Sequence, residues 1–271
     1  MKGLRIPLTL LSLSILAGCG QDETSKTTNK TQVKEEVQQV TISGLSPTQS
    51  YALRGADQSW PGTGNEKLIL AKDKATANYY VIFDGSGSME DTSCGNGERR
   101  IDVAKRAIGT FFDVLPKNSN VGLIVFDDKG AREAVSLKKN NPTLLKAVTD
   151  GAMAGGGTPL GRTLEYASEK LQEQGQKQQG YGEYNIVVLT DGQAGDEDKM
   201  IRVVNDITAN TPINIHTIGF CLGDRHTLNK RGVINYQPAS DAAELVRGLK
   251  SVLAESSSFT SDSFSAASSE K

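Results

Sequence analysis

The sequence predicts an α/β fold: a doubly wound, mostly parallel sheet with one antiparallel edge strand and helices on both faces. Three observations predict it. Apolar runs of strand length alternate along the chain with apolar residues at helical spacing, the pattern of a sheet covered by helices on both sides. The link Asp127-Asp128-Lys129-Gly130 between two strand-like runs is too short for a crossover, so that pair must form an antiparallel hairpin. Asp84 and Asp191 each end an apolar strand, where open α/β sheets bind their ligands.

The elements follow in order. Tyr79-Tyr80-Val81-Ile82-Phe83 is the first strand and breaks into Asp84-Gly85-Ser86-Gly87-Ser88. Ile101, Ala104, Ala107, Ile108, Phe111 and Leu115 recur at helical spacing. Asn120 to Phe126 reads as a strand, with Arg132 to Leu137 as its hairpin partner. Asn141-Pro142 supplies a cap and a first-turn proline for the next helix. A helix beginning at Thr158 presents Leu160, Leu164, Ala167 and Leu171 on one face. Ile186 to Leu189 is a strand ending in Thr190-Asp191-Gly192. Met200, Val203, Val204 and Ile207 mark a helix before the strand Ile213 to Phe220. Asp241 and Glu244 have capping-box spacing ahead of Leu245, Leu249 and Val252.

The break after the first strand carries chemistry. Asp84, Ser86 and Ser88 place one carboxylate and two hydroxyls in a single loop, half of an oxygen shell for a divalent ion such as magnesium. Thr158 and Asp191 are the candidates for the other half. Gly155, Gly156 and Gly157 let the Thr158 loop approach closely and supply positive φ. A phosphate-cradling loop is disfavoured, because no strand directly precedes these glycines and no Gly-Lys-Ser/Thr follows them.

In that order, Asp-x-Ser-x-Ser, the threonine of Gly-Gly-Thr-Pro-Leu and Thr-Asp-Gly resemble the metal-ion-dependent adhesion site of von Willebrand factor type A domains. All five positions are filled, and the resemblance runs from about Tyr79 to Leu253. It implies that Ser86, Ser88 and Thr158 bind Mg2+ (or Mn2+) directly while Asp84 and Asp191 act largely through water. An ion with so few anionic ligands stays electrophilic and accepts an Asp or Glu carboxylate from a partner protein. The expected function is therefore metal-dependent, adhesion-type protein binding without catalysis. The alternatives are an envelope assembly or maturation scaffold with a structural metal and, less well supported, a metal-dependent hydrolase. His216 lies inside a strand and reads as a core histidine, and His226 sits in a polar loop with no acidic partner implied by spacing. No His-Glu-x-x-His run is present. Ser86 stands where a haloacid-dehalogenase-type phosphatase needs its second aspartate.

The N-terminus resembles a bacterial lipoprotein signal: Lys2 and Arg5, an apolar run from Ile6 to Leu16, then Leu16-Ala17-Gly18-Cys19. That run is short of the ~20 residues a bilayer span needs. The resemblance implies a leader over residues 1–18, a lipidated Cys19, and a cell-envelope location anchored to a membrane. Gly20 rather than Asp after the cysteine favours the outer membrane if the host has two. Residues 20 to 39 are polar and charged and read as a flexible tether. The expected plan is a tether over 19–65, one domain over 66–255 and a Ser-rich disordered tail over 256–271. Val40 to Ser43 suits an edge strand, and Trp60, the only tryptophan, is expected to pack on the domain.

With 30 Lys and Arg against 32 Asp and Glu, the chain carries a net charge of −2, and loss of Lys2 and Arg5 makes it more acidic. No basic footprint for nucleic acid is present. The sequence leaves the oligomeric state open. Cys94 and Cys221 both follow strands and belong on the carboxyl edge near the site. An oxidising envelope favours a disulfide between them, and two buried free thiols remain the alternative if their Cα atoms lie beyond ~7 Å. The pair departs from relatives whose cysteines join the domain ends. Glu90-Asp91 and Asp196-Glu197-Asp198 read as solvated loop charge.

Overall fold

The computed structural model describes residues 60–62 and 67–254. The expected leader, Cys19, the Val40–Ser43 strand, most of the tether and the Ser-rich tail lie outside the described residues. Among the described residues no helix is long and apolar enough to cross a membrane.

Strand β1 (Asn78–Asp84) is buried along its whole length because helices cover both of its faces. Its alternating side chains feed two cores. Tyr79, Val81 and Phe83 pack with Ile101, Ile108 and Phe111 of α1 (Arg100–Val114). Tyr80 and Ile82 face the opposite layer. There they meet Leu160, Leu164 and Leu171 of α3 (Leu160–Gln178) and Met200, Val204 and Ile207 of α4 (Glu197–Asn210).

The rest of the sheet comprises β2 (Asn120–Asp127), β3 (Gly130–Lys139), β4 (Tyr184–Thr190), β5 (Asn214–Phe220) and β6 (Asn235–Ala239), in the order β3-β2-β1-β4-β5-β6. All neighbouring pairs are parallel except β2 with β3, the expected hairpin. Helix α2 (Pro142–Asp150) opens as its sequence indicates, with the Asn141 side chain accepting from the backbone of Leu144. Helix α5 (Ala242–Ala254) buries Leu245, Leu249 and Val252 in the first core. Asp241 caps it by accepting from Glu244 N at 2.8 Å, while the Glu244 carboxylate reaches back one residue further than a capping box, to Ser240 N.

Three features differ from the sequence reading. Strand β6 was not foreseen, because Asn-Tyr-Gln-Pro-Ala lacks alternation and holds a proline. Pro238 is tolerated because β6 is an edge strand with one unpaired side. A short 3-10 turn, Gly87–Glu90, directly follows the first site loop. Helix α3 starts at Leu160 rather than Thr158, because Pro159 disfavours helical backbone at the residue before it. Trp60 packs as expected, edge-on to Tyr184 with ring centroids 5.3 Å apart.

Candidate metal centre

The five parallel strands all point one way, so Asp84, Asp127, Thr190 and Phe220 end on a common edge. From β1 the chain passes to α1 on one face, and from β4 to α4 on the other. The resulting crevice between β1 and β4 is where a doubly wound sheet offers a site.

Asp84 lies at its floor, fully buried. Its Oδ1 accepts from Ser86 N at 2.7 Å and its Oδ2 from Thr190 Oγ1 at 2.5 Å. Above it, Ser86 Oγ is 3.1 Å from Ser88 Oγ, and Ser88 Oγ donates to Asp191 Oδ1 at 2.6 Å. Two backbone bonds, Gly155 N to Gly85 O and Gly87 N to Gly156 O, stitch this loop to the glycine loop. Gly156 adopts φ +72°, and a Cβ there would lie 2.9 Å from Asp127 O, so the residue type is set by backbone conformation and by close approach. The stitching delivers Thr158. Its Oγ1 and Ser88 Oγ both lie within 4 Å of where a Cβ on Gly192 would stand.

Thr158 was read as the opening of a helix, but it does not cap one. The first free amides of α3, Gly161 N and Arg162 N, donate instead to the Asp196 carboxylate at 2.8 and 3.0 Å. The Thr158 hydroxyl makes no hydrogen bond with the described residues, which leaves it unspent at the mouth of the crevice. Asp196 therefore departs from the solvated charge read in the sequence, whereas Glu197 and Asp198 are exposed in the first turn of α4.

The structure thus brings together all five candidate residues, and adds two to which the sequence assigned no role in the site. Thr190 anchors Asp84. Arg100 donates through Nη1 to Asp191 Oδ2 at 2.9 Å. No local pattern announces Arg100, because its partner lies 91 positions away. The turn after Asp191 is braced from below: His226 donates from Nε2 to Gly192 O at 2.8 Å and accepts at Nδ1 from Leu228 N at 3.0 Å. Those two bonds require the neutral ring, and burial lowers its pKa. His216 is a buried sheet histidine, as expected, beside Asn185 and Asn235. Cys94 and Cys221 form a disulfide on the same edge, with Cα atoms 5.9 Å apart.

The electrostatics suit a cation. Burial pushes the Asp84 carboxyl up to about 6; its bonds to Ser86 and Thr190 oppose that rise, and nearby Asp191 adds to it. No basic side chain of the described residues pairs with Asp84. A buried carboxylate without a counter-ion, beneath three hydroxyls of which one is unspent, fits a hard divalent ion with oxygen ligands. Among the described residues no group of three or more His, Cys, Asp or Glu is placed to hold a metal, so the donors gathered here are chiefly hydroxyls.

Comparison with known proteins bears on the same region. The model of the von Willebrand factor type A domain matches residues 78–267, more than half of the chain. "Uncharacterized protein YwmD" of Bacillus subtilis (strain 168) is 44% identical over 62 residues, which are 23% of this chain and 27% of that protein. A von Willebrand factor type A structure from Catenulispora acidiphila superposes with a TM-score of 0.54 at 19% identity, covering 66% of this chain and 42% of that one. The manganese-loaded TRAP protein of Plasmodium vivax gives 0.51 at 16% identity, covering 66% and 73%. The chain thus spans about a quarter of that curated relative and less than half of the Catenulispora chain.

Proposed function

This chain belongs to the von Willebrand factor type A family, and from that premise we propose that it is a metal-ion-dependent, adhesion-type protein-binding domain. Ser86, Ser88 and Thr158 would hold Mg2+ or Mn2+ directly, and Asp84 and Asp191 would hold it largely through water. When bound, the ion supplies an electrophilic position that takes a carboxylate oxygen from an Asp or Glu of the partner protein. The observation that carries this reading is Asp84, a carboxylate buried beneath converging hydroxyls with no counter-ion among the described residues. The manganese carried by the Plasmodium vivax structure supports the choice of metal.

The chain's own groups do the rest. Thr190 and the Ser86 amide fix the Asp84 carboxylate. Ser88 and Arg100 fix Asp191. The glycine stitches hold Thr158 opposite them. A non-catalytic role is supported by the histidines, both of which spend ring nitrogens on hydrogen bonds inside the fold. In the same proposal Cys19 carries lipid and anchors the domain to a bacterial envelope membrane.

The test is capture of envelope proteins on the immobilised protein in magnesium, in EDTA and with Ser86→Ala. Capture that needs magnesium and disappears in the variant supports the reading. Equal capture under all three conditions refutes it.

A further inference from the structure

Arg100 opens α1, and its side chain is only 13% exposed. Its Nη1 reaches Asp191 Oδ2 at 2.9 Å, while the other oxygen of that fully buried carboxylate accepts from Ser88 Oγ at 2.6 Å. Both oxygens of Asp191 are therefore occupied by the chain itself. The guanidinium is held from its other side by the loop between β1 and α1. Nε donates to Ser93 O at 3.3 Å, Nη2 donates to Ser93 Oγ and lies 3.4 Å from Cys221 Sγ, and Asp91 Oδ1 is 3.7 Å from Nη2. The Cys94–Cys221 bond closes that loop onto the end of β5.

We propose that Arg100 sets the affinity of the metal centre: held by the disulfide-closed loop, it neutralises Asp191 and keeps one of its oxygens from the ion. This rests on the metal-binding reading above. A guanidinium stays charged at any physiological pH. It removes one of two negative charges from the donor set and repels a dication nearby. Asp84 is then the one uncompensated anion of that donor set, so the protein alone holds the ion weakly. The partner's carboxylate supplies the missing negative charge, and uptake of the ion and of the partner become coupled in both directions. Arg100 is in this sense a positioning and specificity residue. It favours ligands that bring a full anionic charge over neutral oxygen ligands.

The experiment is calorimetric titration of MnCl2 into the metal-free protein at low ionic strength, comparing wild type, Arg100→Gln and Ser93→Ala. Arg100→Gln is expected to bind Mn2+ about tenfold more tightly. Ser93→Ala, a surface change that removes one hold on the guanidinium without baring Asp191, is expected to give a smaller gain in the same direction. A purely structural salt bridge would yield losses, not gains. Equal or weaker uptake in both variants, with native circular dichroism, overturns the inference and leaves the metal reading standing. Absence of Mn2+ uptake in all three proteins overturns both.

Discussion

A carboxylate buried as deeply as Asp84, with two hydrogen bonds and no cationic partner among the described residues, raises the free energy of the metal-free chain. The shift of its pKa from 3.8 up to about 6 expresses that cost. Asparagine fits the same contacts, because its Oδ1 can still accept from Ser86 N and its amide can donate to Thr190 Oγ1. Asp84→Asn is therefore expected to stabilise the metal-free protein by ~1–2 kcal/mol, read as a higher urea midpoint, while abolishing Mn2+ uptake. A destabilised variant would show that the carboxylate serves the fold rather than the ion. At this scale the five oxygen-bearing candidate residues were legible as a group, because each sits in a short motif at a strand end or a glycine loop. Arg100 and Asp196 were not, because each acts on a group 91 or 35 positions away.

Helix α3 shows how one element serves another. Its free first-turn amides are satisfied by Asp196 from the loop ahead of α4, which leaves Thr158 free, and Gly195 N donating to Thr158 O at 2.8 Å ties the loop that carries it to the same segment. Asp196→Ala removes both cap bonds and is expected to cost ~1 kcal/mol of stability by thermal unfolding, within the usual range for a lost N-cap. It is also expected to weaken Mn2+ uptake, since Thr158 loses its fixed position. Loss of stability with unchanged metal affinity would separate the cap from the site. Periodicity revealed every element with a strong apolar face, down to the hairpin link and the Asn141 cap. It did not reveal β6, whose side chains are mostly polar and which is held by pairing with β5 at the sheet edge. The disulfide likewise depended on two loops whose approach no local pattern encodes, although the placement of both cysteines after strands pointed to the right edge.

Across the whole molecule, buried titrating groups set the pH response. Burial pushes His216 down to about 4, so it stays neutral in the fold while the unfolded chain takes up a proton below ~6.5. Its contribution is intact above ~6.5 and is lost as pH falls toward about 4; His226, also lowered, acts in the same direction. Asp84 acts oppositely, because its raised pKa favours the fold below ~4, and that advantage is lost as pH rises through about 6. The metal-free wild type is therefore expected to lose less urea stability between pH 6.5 and 4.5 than a variant in which the histidines act unopposed. Asp84→Asn is expected to lose stability steadily over the same range, and matching profiles would contradict this assignment.

At this scale too, the sheet's architecture explains why the residues singled out in the sequence gather at one crevice. Doubly wound connections leave a crevice between β1 and β4, and the motif residues fall on the strand ends that border it. The central claim is that these oxygens converge on one cation. Crystals grown with MnCl2 test it most directly through manganese anomalous scattering. The account predicts one strong peak within coordination distance of Ser86 Oγ, Ser88 Oγ and Thr158 Oγ1. A crevice without a peak, or a peak ligated by other residues, would contradict it.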